Sequence, residues 1–319
     1  MAKTTGLVMA GAVARGAYEA GALSVILPEL DKRGEKPRIL VGTSAGALNA
    51  AFLASRAHLS ADVATKELVD LWKGITRRDV FHWAPFAPIS LGLLELGLSD
   101  KPRGLVDTSP LEGTLNEAVG DWSRIRTNID DGHLDALAIV TTAARTGRTV
   151  VFVEGGMVGV RGGRTELLPE RDDKKAIDYV APVDGMGVSH VLASAAMPLL
   201  FPPVRIALDK ETDDWFFDGG LRLNAPIKPA IKLGARRIAI VAADPAFRSA
   251  EDAPPTGSAP DVDDYILHFI QAALADPLIE DMWTLTKVNA LLGTKAVSYT
   301  HLTLPTITSG CSSRWWAGE

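Results

Sequence analysis

Residues Arg38 to Ala54 constrain the chain more than any other stretch, because they place a serine between glycines where an apolar segment gives way to a helix-forming one. Arg38-Ile39-Leu40-Val41 is short and β-branched enough for a buried strand. Ala45-Gly46-Ala47-Leu48-Asn49-Ala50-Ala51-Phe52-Leu53-Ala54 is rich in helix formers. Between them, Gly42-Thr43-Ser44-Ala45-Gly46 has the form G-x-S-x-G of a nucleophile elbow. A strand that bends sharply into a helix around a serine needs small neighbours, here Gly42 and Gly46, so that the hydroxyl stays reachable. Ser44 then stands at a helix N-terminus, where unpaired amides and the helix dipole favour a developing negative charge. The plainer alternative is a tight loop with Ser44 as an N-cap.

Composition narrows the classes that such a turn can serve. The chain has 319 residues, 47% hydrophobic and 23% charged, enough for one large domain or two small ones. A net charge of −6 argues against a general binder of phosphate backbones, so nucleic acid is not an expected partner. The single cysteine, Cys311, rules out a disulfide framework or a cysteine zinc site. No His/Asp cluster has ligand spacing, so neither a metal nor a cofactor is expected. The apolar run from Gly6 to Val13 has only Lys3 before it and is followed by Arg15 and Glu19, so it reads as mature protein rather than a leader. No uninterrupted apolar stretch reaches the roughly eighteen residues of a spanning helix, and a cytoplasmic protein is expected.

Thr5 to Met9 predicts a first buried strand, and Gly16 to Leu30 a helix with Leu23, Ile26, Leu27 and Leu30 on one face. Between them, Gly11-Ala12-Val13-Ala14-Arg15-Gly16 is a turn whose amides are placed to bind an anion. It is not a nucleotide loop: Ala17-Tyr18 follow where a Walker motif needs Lys and Ser or Thr, and G-x-G-x-x-G fails at Val13. For Arg15 the alternative is a solvated first-turn side chain. The serine turn falls in the first sixth of the chain, after one strand, turn and helix. That is not the order of an α/β-hydrolase, whose elbow comes later and whose histidine follows the acid.

Further along, Ala61 to Gly74 predicts an amphipathic helix. Phe81 to Ile89 and Leu91 to Leu98 are aromatic- and leucine-rich, broken by Pro and Gly; they pack over the core or form a lid that meets a lipid surface. Ser109-Pro110-Leu111-Glu112 has the capping-box form with Pro at the first helical position and predicts a helix through Val119. Leu134 to Thr142 and Arg148 to Val153 predict a hairpin across Arg145-Thr146-Gly147. Arg171 to Lys175 is a charged loop. Val188 to Ala196 is small and apolar, followed by a proline-punctuated turn from Met197 to Val204. Trp215-Phe216-Phe217 runs into Asp218-Gly219-Gly220, an acid at a strand end or, alternatively, a turn-forming Asp. Arg236 to Ala242 predicts another buried strand, ending near Asp244. Residues 251–264 read as a linker and Asp264 to Leu292 as mostly helical. From about Ala296 the chain resembles translated sequencing-adapter read-through, so 296–319 are expected to be non-native. The expected organisation is a single domain over 1–295, with its core at about 5–245 and a helical part at about 262–292.

Three features occur in fixed order: the turn with Arg15-Gly16, the Gly42–Gly46 elbow and Asp218-Gly219-Gly220, the last preceded by Ala193-Ser194-Ala195-Ala196-Met197-Pro198 and Phe201-Pro202-Pro203. Together they resemble the patatin-like phospholipase family over roughly residues 5–245. The resemblance implies a three-layer α/β/α sandwich with a mostly parallel central sheet. It also implies calcium-independent lipid acyl hydrolysis by a Ser–Asp dyad, with Ser44 as nucleophile, Asp218 as general base, and Gly219 and Gly220 supporting the acid's turn. Gly11, Ala12, Val13, Arg15 and Gly16 would supply a backbone oxyanion hole, although the turn departs from the family's Gly-Gly-Gly-x-Arg-Gly and a β-branched Val13 resists positive φ. A carboxylate near its ordinary value, about 3.9, is a weak base; desolvation beside Trp215-Phe216-Phe217 would strengthen it. The expected partner is a lipid or acyl-ester substrate, with peripheral membrane contact and an open oligomeric state. Two other readings stay open. One is a histidine-dependent esterase using His268, which lies mid-helix; the other is a catalytically silent lipid-binding protein.

Overall fold

The computed structural model describes residues 4–12, 15–83, 106–156, 160–161, 164–165, 177–198 and 200–242. The expectations placed on Val13, residues 84–98, the charged loop at 171–175, Asp244, His268 and everything beyond residue 242 lie outside the described residues. In chain order the elements are β1 (Thr5–Met9), α1 (Gly16–Lys32), β2 (Ile39–Thr43), α2 (Ala45–Ser55), α3 (Ala61–Gly74), β3 (His82–Trp83) and β4 (Val106–Asp107). There follow α4 (Ser109–Val119), α5 (Ser123–Asp130), β5 (Ala136–Ala143), β6 (Thr149–Gly155), β7 (Val160–Arg161), β8 (Arg164–Thr165) and β9 (Ile177–Val180). The described chain closes with α6 (Val188–Ala195), β10 (Val204–Ala207), β11 (Asp213–Asp218), α7 (Ile227–Lys232) and β12 (Arg237–Val241).

Eight strands form one sheet. β1 and β2 are continuous apolar runs buried along their whole length, as strands covered on both faces must be. α1 carries the crossover that lets them pair in parallel, from Gly6 opposite Ile39 to Met9 opposite Gly42. β12 joins the far side of β1 and β5 the far side of β2, both in parallel. The predicted hairpin is present as β5 and β6, antiparallel, and β9 runs parallel to β6. β10 and β11 are antiparallel to each other, and β11 to β5, so the sheet is mixed and mostly parallel.

The sheet's two faces follow from the period-2 alternation of its strands. Leu7, Met9, Leu40 and Ile139 point into a core shared with Leu23, Leu53, Leu68 and Phe216, the side of α1 to α6. Val8, Val41 and Val140 point the other way, against Ile227 and Ala230 of α7 and against Ile238 and Ile240. Helices therefore flank the sheet on both sides.

β5 has an unusual neighbourhood. One of its edges is occupied by two strands in succession: β2 pairs with Ala136 to Val140, and β11, arriving from the opposite direction, pairs with Thr141 to Ala143. Thr43 thus lies opposite Val140 and Asp218 opposite Thr141, adjacent positions on one strand.

One helix start differs from the sequence expectation. α4 begins at Ser109 itself, with Thr108 at the N-cap position making no side-chain cap bond, so Pro110 falls inside the first turn. Asp107 does the capping: Oδ1 accepts from the Ser109 amide at 3.0 Å and Oδ2 from the Ser109 hydroxyl at 2.9 Å. A carboxylate at a helix N-terminus gains from both charge and dipole, and a serine hydroxyl gains from neither in the same measure.

Close packing at the elbow gives the first test. A Cβ on Gly42 would overlap the Gly46 carbonyl and lie 2.6 Å from Ala47 Cα, whereas a Cβ on the exposed helical Gly21 would meet nothing within 4 Å. Gly42→Ala is expected to destabilise the protein by about 1–3 kcal/mol. Gly21→Ala is expected to stabilise it by about 0.5–1 kcal/mol. Both are read as shifts of the urea midpoint at unchanged slope.

Candidate active site

Ser44 sits alone between the end of β2 and the start of α2, at φ 55° and ψ −124°, and is the single non-glycine residue with positive φ among the described residues. Such a backbone state costs about 1–3 kcal/mol and persists only where its surroundings enforce it. The surroundings are visible. The Ser44 amide donates to Ser194 Oγ at 2.9 Å, and Ser194 Oγ donates to the Val140 carbonyl at 2.6 Å, so a fully buried hydroxyl on α6 ties the elbow to β5. The amides of Ala47 and Leu48 close onto the Ser44 carbonyl. Ser44 occupies the N-cap position, yet its side chain makes no cap bond, so the plain reading of Ser44 as a helix cap is corrected.

Asp218 ends β11. Its amide donates to the Ala196 carbonyl at 2.9 Å and its carbonyl accepts from Thr142 Oγ1 at 3.0 Å. Oδ1 accepts from the Gly220 amide at 2.7 Å, while Oδ2 is buried with no partner in hydrogen-bonding geometry. Gly219 has to be a glycine, since a Cβ there would overlap the Val140 carbonyl. Burial pushes the Asp218 carboxyl up to about 6, against the Gly220 amide and the Ser44 hydroxyl, which both hold it down. The Ser44 hydroxyl is therefore close enough to act on the carboxyl, although the two are not locked in a tight hydrogen bond.

The first turn is only partly open to a ligand. The Gly11 amide donates to the Asn224 carbonyl at 3.2 Å and the Arg15 amide to the Ala12 carbonyl at 2.9 Å, so two of the predicted turn residues use their amides internally. Arg15 is exposed and Gly16 begins α1. Ala12 is buried, and among the described residues its amide has no acceptor. Gly46 lies in the first turn of α2, where a Cβ would meet the Met9 main chain.

Three groups around the site were not singled out from sequence. Ser194 is one. A second is a buried chain beneath the turn: Trp72 Nε1 donates to Asn49 Oδ1 at 2.7 Å, and Asn49 Nδ2 donates to Glu19 Oε2 at 3.0 Å and to the Gly16 carbonyl at 3.3 Å. Burial holds the Glu19 carboxyl well above the usual carboxylate range. The signal for it was a glutamate on the face of α1 that carries Leu23, Ile26, Leu27 and Leu30. The third is Asn224, 1% exposed. Histidines stand apart: His58, His82 and His133 are exposed, and His190 is buried against Phe152 with Nδ1 near Gly187. Among the described residues no group of acids, histidines and cysteines could hold a metal ion, and no helix is long and apolar enough to cross a membrane.

A serine on a strained strand-to-helix turn at the carboxyl end of an interior strand of a helix-flanked sheet, beside a buried aspartate, defines an α/β protein of the nucleophile-elbow class. The model of the patatin-like phospholipase family matches residues 7–231, and the chain belongs to that family. The family is generally made of serine lipid hydrolases. Among solved structures, the chain is similar to VipD from Legionella pneumophila, at 15% identity and a TM-score of 0.39, covering 79% of this chain and 52% of that one. It is also similar to the ExoU–SpcU complex of the Pseudomonas aeruginosa type III secretion system, at 19% identity and a TM-score of 0.24, covering 48% and 33%. The chain thus spans about half the length of VipD and a third of the second structure. No curated protein matches it.

Two outcomes follow from this geometry. The folded-state value of Asp218, about 6, lies above its ordinary 3.8, so the fold favours the protonated form. The stability this contributes is full below about pH 4 and is lost as pH rises through about 6. Asp218→Asn is therefore expected to exceed wild type in stability by up to about 3 kcal/mol at pH 7.5, with the gain shrinking towards zero at pH 4, in urea unfolding at the two pH values. Ser194→Ala strips the Ser44 amide of its buried acceptor and is expected to cost about 1–3 kcal/mol in the same assay.

Proposed function

We propose that the chain hydrolyses carboxylic esters of lipids through an acyl-enzyme, with Ser44 as nucleophile and Asp218 as general base. The observation that carries this reading is the meeting of β2 and β11 on one edge of β5, which sets Ser44 beside a buried carboxyl raised to about 6. A serine hydroxyl is a poor nucleophile until a positioned base takes its proton. At neutral pH Asp218 is ionised, and at about 6 it is a far better acceptor than an ordinary aspartate.

In the first half-reaction Ser44 Oγ attacks the ester carbonyl carbon as its proton passes to Asp218. The tetrahedral intermediate collapses by breaking the bond to the leaving alcohol, which takes that proton from Asp218. In the second, a water gives its proton to Asp218 and attacks the acyl carbon, and collapse returns the proton to Ser44 Oγ and frees the carboxylic acid. Negative charge on the former carbonyl oxygen would be met by the buried Ala12 amide and by the N-terminus of α2. A silent lipid-binding protein would leave a strained serine and a half-satisfied buried carboxyl facing each other without a use.

The test is labelling of the full chain with a fluorophosphonate probe, alongside hydrolysis of p-nitrophenyl acyl esters. Wild type is expected to label and turn over, Ser44→Ala to do neither, and Asp218→Asn to lose about 10²–10⁴-fold in kcat. In wild type kcat/KM should rise with pH through about 6, the ionisation of the buried carboxyl. Folded wild-type protein that neither labels nor hydrolyses would overturn the reading, and loss of turnover in His268→Ala with Asp218→Asn active would move it to the histidine mechanism.

A further inference from the structure

From the surroundings of Gly11 we infer that the Asn224 side-chain carboxamide is a catalytic residue, a hydrogen-bond donor to the oxyanion formed when Ser44 attacks its ester. The inference rests on the Ser44–Asp218 reading and adds to it a donor that the first turn alone does not supply.

Two hydrogen bonds hold the segment of Asn224 beside the nucleophile. Its main-chain carbonyl accepts from the Gly11 amide, and the carbonyl of the preceding residue, Leu223, accepts from Thr43 Oγ1 at 3.1 Å. The segment after the acid is thereby stitched to the first turn on one side and to the elbow on the other. The side chain fills the space between them: a Cβ on Gly11 would overlap Asn224 Oδ1, and the same point lies 3.3 Å from Ser44 Cβ. Gly11 is small because the carboxamide is there.

That carboxamide is 1% exposed, and neither Oδ1 nor Nδ2 has a hydrogen-bond partner. A buried amide with both ends unsatisfied loses the water it would otherwise bind and gains nothing in return, a state that native structures rarely keep without a use. Its torsion about χ2 is soft and roughly two-fold, so an untethered amide can present Nδ2 to an acceptor at Ser44 without moving its Cβ. An acceptor arises there during acyl transfer, when the ester carbonyl oxygen takes on negative charge. Side-chain amides are established donors for such charge. The turn also has fewer free amides than its length suggests, because those of Gly11 and Arg15 are already bonded.

The test compares Asn224→Leu and Asn224→Ala with wild type. Leucine has nearly the same branched shape and no donor, so it separates the hydrogen bond from the volume. Each variant is measured for kcat and KM on a p-nitrophenyl ester, for inhibition by an acyl trifluoromethyl ketone, whose Ser44 adduct carries the oxyanion, and for its melting temperature. The expected result is a kcat lower by about 10²–10³-fold with KM little changed, and a trifluoromethyl ketone inhibition constant raised by a similar factor. The Asn224→Leu melting temperature should be unchanged or raised, since no bond is lost. Wild-type kcat and inhibition in Asn224→Leu would overturn the donor role and leave the dyad standing. A fall in melting temperature that accounts for the lost activity in both variants would make Asn224 structural. Wild-type protein inert towards ester and ketone alike would remove the reaction itself and both proposals with it.

Discussion

The shared edge of β5 is the constraint on which the rest of the structure depends. A strand edge offers one row of hydrogen-bonding groups, and here β2 uses the row up to Val140 while β11 takes it over at Thr141. Two chain ends that approach head-on along one edge must both turn away where they meet. β2 leaves through the Ser44 elbow into α2, and β11 leaves through the Gly219-Gly220 turn. Residues 174 positions apart in sequence, Ser44 and Asp218, are brought together by backbone register, before any side chain chooses a rotamer. Val140 marks the junction: its carbonyl accepts from Ser194 and closes off the space above Gly219.

The same junction gathers much of the unfavourable local free energy visible in the fold. Ser44 holds a backbone angle that L-residues avoid, Asp218 keeps one carboxylate oxygen unpaired, and Asn224 is buried with both polar ends unsatisfied. Each is a cost on the order of 1–3 kcal/mol, comparable to the margin by which a domain stays folded. They are tolerated because the sheet beneath is covered on both faces, with Met9, Leu23, Ile139, Phe152 and Phe216 fully buried. Phe152 of β6 meets Phe216 of β11, the strand that ends in Asp218, edge to face at 5.2 Å. A rigid apolar layer holding a strained polar cluster at its edge is what a preorganised site requires.

Much of this was legible in the sequence because backbone geometry leaves compositional marks. Small residues are forced at Gly42, Gly46 and Gly219, the 3.6-residue period of α1 follows from its buried face, and the largely apolar runs of β1, β2 and β5 follow from burial on both faces. The family resemblance rested on those marks. What was not legible depends on partners distant in sequence. Asp107 displaces Ser109 from its expected capping role because its carboxylate takes both the amide and the hydroxyl of Ser109, and the helix starts at Ser109 itself. Ser194 sat in a quoted segment, but its bond to the Ser44 amide, across 150 residues, needs the packing of α6 on β5. Asn224 carries no local signature, since a lone Asn before Ala-Pro reads as a turn. The internal bonding of the Gly11 amide likewise depends on where residue 224 comes to lie.

The absence of a histidine from the proposed dyad has a physical basis in the burial of the site. Desolvation disfavours whichever form is charged, so it acts on acids and imidazoles in opposite directions. In this fold it raises Asp218 to about 6 and lowers the buried His190 to about 4. An aspartate and a histidine ordinarily stand in the reverse order, near 3.9 and 6.5. Burial thus strengthens a carboxylate as a base and weakens an imidazole. A histidine in the place of Asp218 would lose much of its basicity to the same environment that gives the carboxylate its own. Burial at the junction of β2 and β11 therefore suits the proposed dyad, in which a carboxylate rather than an imidazole would accept the proton of Ser44.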